Sequence, residues 1–401
     1  MATTFEPRPP AIAGPGDDGL RPVRRWGWLR GLSSAEAPWR HVDLALVVSV
    51  LAIAGLGVVM VYSATRGRLR EAGADEAYYL NRQAAFMAIG VVVMIAMTLV
   101  DYRVLRHLAP RVYVGMIGVL LLVLTPLGSA NRGQQASFEI GGFQVQPSEL
   151  AKVGVIVCCA AYAGSRRTEL DARGVATMLA LAGTPLALIY LQPDLGTALV
   201  FVAIAFALLV VAGARLRHLA FLAAAGTLAI GLVIHFGVLQ QYQLDRLGAF
   251  LDPAGDTRRS AYNLNQSKTA IGSGGLTGKG LFNGSQTNLS YVPEQHTDFI
   301  FTAVGEQLGL VGSGLLLALF GVVVWRTWRA ATLSRDVAGT LICAGVLAMF
   351  VFQIFENVGM TMGIMPITGI PLPLMSYGGS SAIATFAAVG LVLNVHMRRF
   401  S

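Results

Sequence analysis

Apolar residues in this chain come in uninterrupted runs of roughly 17 to 25, the length an α-helix needs to cross a hydrocarbon core. Such runs fall near 43–63, 83–100, 112–128, 148–164, 174–191, 195–213, 217–238, 299–325, 338–361 and 380–397. The pattern predicts an all-α polytopic membrane protein of ten transmembrane helices. Residues 1–41 precede the first run and are Pro/Gly-rich and Arg-bearing, with no cleavage site after a short apolar core. They read as a disordered cytoplasmic tail, leaving 42–401 as one membrane domain.

An even number of spans puts both termini on one side, and basic residues in short loops say which. With the N-terminus inside, the inner segments hold Arg103, Arg106 and Arg111, then Arg166, Arg167 and Arg173, then Arg215 and Arg217. Arg326, Arg329, Arg335, Arg398 and Arg399 follow, besides six arginines in the tail, which together make well over half of the 30 Lys and Arg. Both termini are therefore expected in the cytoplasm. The outer face then carries a long loop, 239–298, between helices 7 and 8, and a Pro/Gly-rich segment, 362–379. A connection as long as the first is uncommon without a function, and its ordered apolar positions suggest a lid packed on the membrane domain.

Composition agrees: 54% of residues are hydrophobic and 13% charged, and the mean hydropathy is +0.61, too apolar for a hydrated globular surface. The net charge of +8 would point to nucleic acid in a soluble protein, but here it follows from the loop arginines. Cys158, Cys159 and Cys343 all lie inside apolar runs, without disulfide or zinc spacing.

Chemistry concentrates at the outer helix ends. In "QPSELAK", Gln146, Pro147 and Ser148 open the fourth helix and set Glu149 and Lys152 on one face; an ionisable pair there faces a wet cavity or snorkels outward as an interfacial salt bridge. In "LQPDLGTA", Asp194 is placed to cap the sixth helix. The stretch "SKTAIGSGGLTGKGLFNGSQT" offers glycines for close backbone approach, with Lys268 and Lys279 for phosphates, or else a flexible lid; it lacks the Walker A spacing. In "YVPEQHTDFIF", Asp298 sits at the mouth of the eighth helix with Glu294 and His296 just before it. Capping and general-base work are about equally compatible with that position. Near the end, "MPITGIPLPLMSYGGSS" is broken by three prolines, as irregular backbone at membrane depth beside a cavity must be. Gln353, Glu356 and Asn357 on the preceding helix fit helix–helix hydrogen bonding.

Together "QPSELAK", "QPDLGTA", "GSGGLTGKGLFNGSQ", "VPEQHTDFIF" with "GEQLGLVG", and "GIPLPLMSYGGSS" closely resemble the SEDS family of bacterial shape, elongation, division and sporulation proteins, and within it RodA more than FtsW. The resemblance spans about 43–397. It implies a peptidoglycan glycosyltransferase of the bacterial cytoplasmic membrane that polymerises lipid II on the outer leaflet, for cell elongation and shape, beside a class B penicillin-binding protein. By the same resemblance Asp298 is the essential acid and hence the general base. Gln146, Ser148, Glu149, Lys152, Asp194, Lys268, Lys279, Glu294, His296, Ser376 and Ser380 become substrate-binding candidates, with Lys152 expected in the cavity of Asp298; Arg132 receives no role. No cofactor is implied; a divalent cation, Mg or Mn, held with lipid phosphates is compatible, though no residue spacing marks a metal site. A lipid-linked precursor flippase and a non-catalytic scaffold remain as alternatives.

Overall fold

The computed structural model describes residues 41–131, 134–141, 143–166, 170–237, 244, 246, 248, 250, 259–289 and 291–400. The N-terminal tail, Arg132, Arg167 and most of 238–258 lie outside the described residues. All ten apolar runs fall on helices: α1 (Leu44–Glu71), α2 (Tyr78–Leu99), α3 (Tyr102–Val123), α4 (Pro147–Gly164), α5 (Ala172–Leu191), α6 (Leu195–Val211), α7 (Leu216–His235), and, after the helices of the long loop, α10 (Ile300–Thr332), α11 (Val337–Met362) and α12 (Gly379–Met397). Among the described residues eight helices are long and apolar enough to cross a membrane, with α6 a shorter apolar helix. The chain is a multi-pass helical membrane protein. Its centre is α12, of which 83% is buried, packed chiefly against α2 with α4 and α11 beside it.

The two ends of the bundle differ. At the arginine-rich end four helices start with an aspartate cap: Asp43 accepts from Leu46 N, Asp101 from Arg103 N, Asp171 from Gly174 N and Asp336 from Gly339 N. There Arg326 Nε also meets Asp43 Oδ2 at 2.6 Å, and the buried Asn394 amide donates to the carbonyls of Met97 and Val100, pinning α12 to the α2–α3 turn.

At the opposite end the sequence pattern and the structure part company in two places. The described residues between α3 and α4 are not plain loop. They form a small antiparallel sheet, β1 (Ser129–Asn131), β2 (Gln134–Ile140) and β3 (Phe143–Val145), in the order β1-β2-β3, so the chain is not purely α-helical. Apolar-run length cannot register strands this short, because a few alternating positions give no periodic signal.

The second departure is within α10. It is broken at Gly309, whose φ of 65° and ψ of −163° are not helical. The break frees the carbonyls of Glu306 and Gln307 and the amides of Leu310 and Val311. All four are taken up by the glycine-rich segment of the long loop: Lys279 N and Gly280 N donate to the two carbonyls at 3.0 Å each, and Gly275 O and Leu276 O accept from the two amides at 2.9 and 3.0 Å. Buried backbone groups must be paired somewhere, and only a chain nearly free of Cβ atoms fits this close; a Cβ on Gly309 would collide with Gly278 N. The loop's α8 (Arg259–Gly274) and α9 (Ser285–Asn288) flank this inlay. α8 packs on α10 and α11 with Ser267 Oγ bonded to Thr302 Oγ1 and to Thr361 O. The expected packing of the loop on the membrane domain is thus seen for its second half.

Candidate active site

At the end opposite the arginine-rich turns lies a cavity of about 660 Å³. Four walls meet there. The turn before α10 contributes Glu294, His296, Thr297 and Asp298; the segment between α11 and α12 contributes Gly369, Pro371 and Tyr377, and the start of α12 Ser380; the sheet contributes Glu139 and Phe143; the facing ends of α1 and α2 contribute Arg68, Tyr78, Tyr79, Arg82 and Phe86.

Asp298 is on the wall, and it does not cap its helix: the N-cap position belongs to Phe299, with no side-chain cap. Asp194 behaves otherwise. Its Oδ1 accepts from Thr197 N at 3.0 Å as a cap, and its Oδ2 accepts from Gln146 Nε2 at 2.9 Å. Burial pushes the Asp194 carboxyl up from its ordinary value, as does the Glu149 charge, while the Thr197 bonds and the Lys152 charge pull it down. Gln146 also lines the cavity and receives, through its backbone amide donating to Ser380 Oγ at 2.9 Å, a direct link to α12.

On the same helix, α4, Lys152 Nζ and Glu149 Oε2 pair at 2.8 Å with both side chains almost wholly buried. Lys152 therefore stands in the supporting layer, not among the cavity-lining residues where it was expected beside Asp298. Ser148 is fully buried in the same layer. Ser376 is buried too; its Oγ accepts from Leu372 N at 2.8 Å and its carbonyl from Gln83 Nε2 at 3.1 Å, holding a turn in which Leu374 has a positive φ of 64°. The two loop lysines are elsewhere. Lys279 Nζ bonds Glu306 Oε1 at 2.9 Å. Lys268 is exposed and runs past Gly363 at the C-terminus of α11, where a cation complements the helix dipole.

Several lining residues had no place in the sequence reading. Arg82 lies 4.8 Å over the Tyr78 ring and 4.6 Å over Phe143, and donates to Tyr78 Oη at 2.6 Å. Arg68 lies 6.0 Å over Tyr79. Tyr79 in turn contacts the rings of Tyr377 and His296 at 5.0 and 5.1 Å, so the basic groups stand on an aromatic shelf. Stacking on aromatic faces fixes the planes of these guanidinium groups at the cavity wall. A signal was available: Arg66, Arg68 and Arg82 sit at helix ends where the positive-inside rule does not call for them. Arg246 was missed as well; its Nη1 donates to Thr368 O at 3.0 Å, and both it and Asp298 Oδ2 approach Gly369. Gly369 has φ 79°, and a side chain there would press within 3.3 Å of Asp298 Oδ2.

Fold and site together define a polytopic membrane protein with a polar, one-ended cavity that offers a carboxylate, guanidinium groups and aromatic faces. The profile of the FtsW/RodA/SpoVE cell cycle proteins matches residues 44–400, and the chain belongs to that family. It is 36% identical to stage V sporulation protein E of Bacillus subtilis, over 88% of this chain and 96% of that protein. It is 33% identical to the peptidoglycan glycosyltransferase MrdB of Escherichia coli K12, over 90% and 94% respectively. Among solved structures it is similar to a chain of a peptidoglycan synthase complex that coordinates polymerization and crosslinking, with a TM-score of 0.75, 32% identity, and coverage of 90% of this chain and 99% of that one.

Proposed function

We propose that this chain is a peptidoglycan glycosyltransferase that polymerises lipid II on the outer face of the bacterial cytoplasmic membrane, with Asp298 as general base. The observation that carries the reading is the position of Asp298: an uncapping carboxylate on the wall of a cavity at the end of the bundle away from the arginine-rich turns. By the positive-inside rule those turns are cytoplasmic, which makes both termini inside, and the cavity and the 239–298 loop outside, across ten spans.

In the reaction Asp298 accepts the proton of the acceptor sugar's 4-hydroxyl as its oxygen attacks the anomeric carbon of the donor. The new C–O bond forms as the bond to the diphosphate breaks, with inversion. The electron pair leaves on undecaprenyl diphosphate, whose developing charge Arg82 and Arg68 face from the aromatic shelf. Lys152 and Glu149 act through Asp194, whose carboxylate feels both their charges and accepts from Gln146, and Glu294 and His296 shape the turn that presents Asp298. A class B penicillin-binding protein is the expected partner, consistent with the synthase complex that this chain resembles.

The test uses purified protein with its partner and labelled lipid II: Asp298→Asn should leave glycan polymer undetectable, and normal polymerisation would remove the assignment. A parallel liposome assay for lipid II translocation separates the enzyme from a flippase or scaffold. The placement in cell elongation rests on the motifs between 279 and 377, and depletion giving round cells rather than filaments is the outcome that supports it.

A further inference from the structure

Asn357 lies inside α11, 0% exposed, where a polar side chain is expected to bond a neighbouring helix. It does something else. Its Nδ2 donates at 2.7 Å to the carbonyl of Asp298 and at 2.7 Å to the carbonyl of Ile370. Both protons of one amide are thus spent on two irregular segments, the turn before α10 and the chain between α11 and α12. Those are the walls that carry Asp298 and Gly369. No helix or strand ladder runs through either stretch. Tyr377 N donating to His296 O at 2.8 Å is a second stitch between them, further along. Since Asp298 Oδ2 stands against Gly369, one residue from Ile370, the Asn357 amide fixes both sides of that contact.

We infer that Asn357 is a positioning residue: its amide ties the backbone of Asp298 to that of Ile370 and so sets where the carboxylate stands relative to the attacking hydroxyl. The inference rests on the reading of Asp298 as the base. Other charged or titratable groups around that carboxylate are Glu294 and His296 on its own turn, Arg246 across Gly369, and Glu356 on α11, which accepts from Thr368 Oγ1 at 2.8 Å. None of these bonds is made by Asn357.

Three variants of the purified complex test it: Asn357→Leu, which deletes the donor; Asn357→Asp, which keeps the shape but turns an acceptor toward two carbonyls; and Asn357→Ser, which keeps one donor. Misplacing a reacting group by about 1 Å costs on the order of 100-fold. The expected result is kcat per folded molecule lowered about 10- to 100-fold in Asn357→Leu and Asn357→Asp, with KM for lipid II within about twofold because the Arg82 wall is untouched. Asn357→Ser should recover part of kcat. The inference is overturned if kcat per folded molecule stays within twofold of wild type, if KM rises in step with the loss, or if none of the three variants folds, since Asn357 is then purely structural. Asp298→Asn measured alongside separates the two readings: an active Asp298→Asn protein overturns both, whereas an inactive one beside Asn357 variants of normal kcat overturns this inference alone.

Discussion

Asp298 and Glu306 stand about two helical turns apart at the start of one membrane helix, and their surroundings are opposite. Glu306 is 0% exposed and saturated: it accepts from Lys279 Nζ, from the backbone amides of Gln286 and Thr287, each at 2.9 Å, and from Thr287 Oγ1 at 2.7 Å. Those donors come from the glycine-rich loop and α9, so the carboxylate is the knot that ties the loop into the broken helix. Asp298 instead faces a cavity large enough for sugars, held through its backbone by Asn357. A carboxylate surrounded by fixed donors has no lone pair to offer a substrate proton.

That contrast can be broken in either direction. The largest effect is expected at Asp298: Asp298→Asn should cut polymerisation by about 100- to 10,000-fold, the usual range for a lost general base, with the thermal midpoint of the purified protein unchanged. Glu306→Ala should do the reverse. Removing one partner from a buried, fully paired charge costs about 3–5 kcal/mol, read as a lowered midpoint and protease cleavage in the 275–289 loop, with kcat per folded molecule largely kept. If Glu306→Ala lost only activity, the division between structural and reactive carboxylates would be wrong.

Arg82→Ala sharpens the cavity side. Hydrogen bonds to a charged group are worth about 1.5–3 kcal/mol, so KM should rise about 10- to 100-fold, more than kcat falls, when lipid II turnover is followed by substrate titration. The smallest effect is expected at Lys268: exposed and outside the cavity, Lys268→Ala should change stability by no more than about 0.5 kcal/mol and leave turnover within about twofold. A large KM effect there would return the loop lysines to the substrate site.

The same contrast shows what a sequence can and cannot say about helix mouths. Asp43, Asp101, Asp171, Asp194 and Asp336 all precede apolar helices as Asp298 does, and all five are caps. By local pattern Asp298 should have been a sixth; the motif resemblance, not the spacing, singled it out. Lys279 was legible as a loop cation close to glycines, but the glycines approach a helix backbone and the cation meets Glu306, a residue that in sequence is simply one charge in an apolar run. Asn357 was legible only as a polar residue in a membrane helix, and its partners are carbonyls 59 and 13 positions away.

By itself the sequence determined the helices and their alternation, because twenty or so consecutive apolar residues leave the backbone no other way to pair its amides in lipid, and it determined the asymmetry of the two ends through where the arginines fall. Which polar groups meet was decided by the tertiary structure alone. Contacts between Gln146 and Asp194, Arg82 and Phe143, or Asn357 and Asp298 join segments roughly fifty to sixty positions apart. Their geometry is set by how the helices pack and where α10 breaks, and neither leaves a periodic trace along the chain.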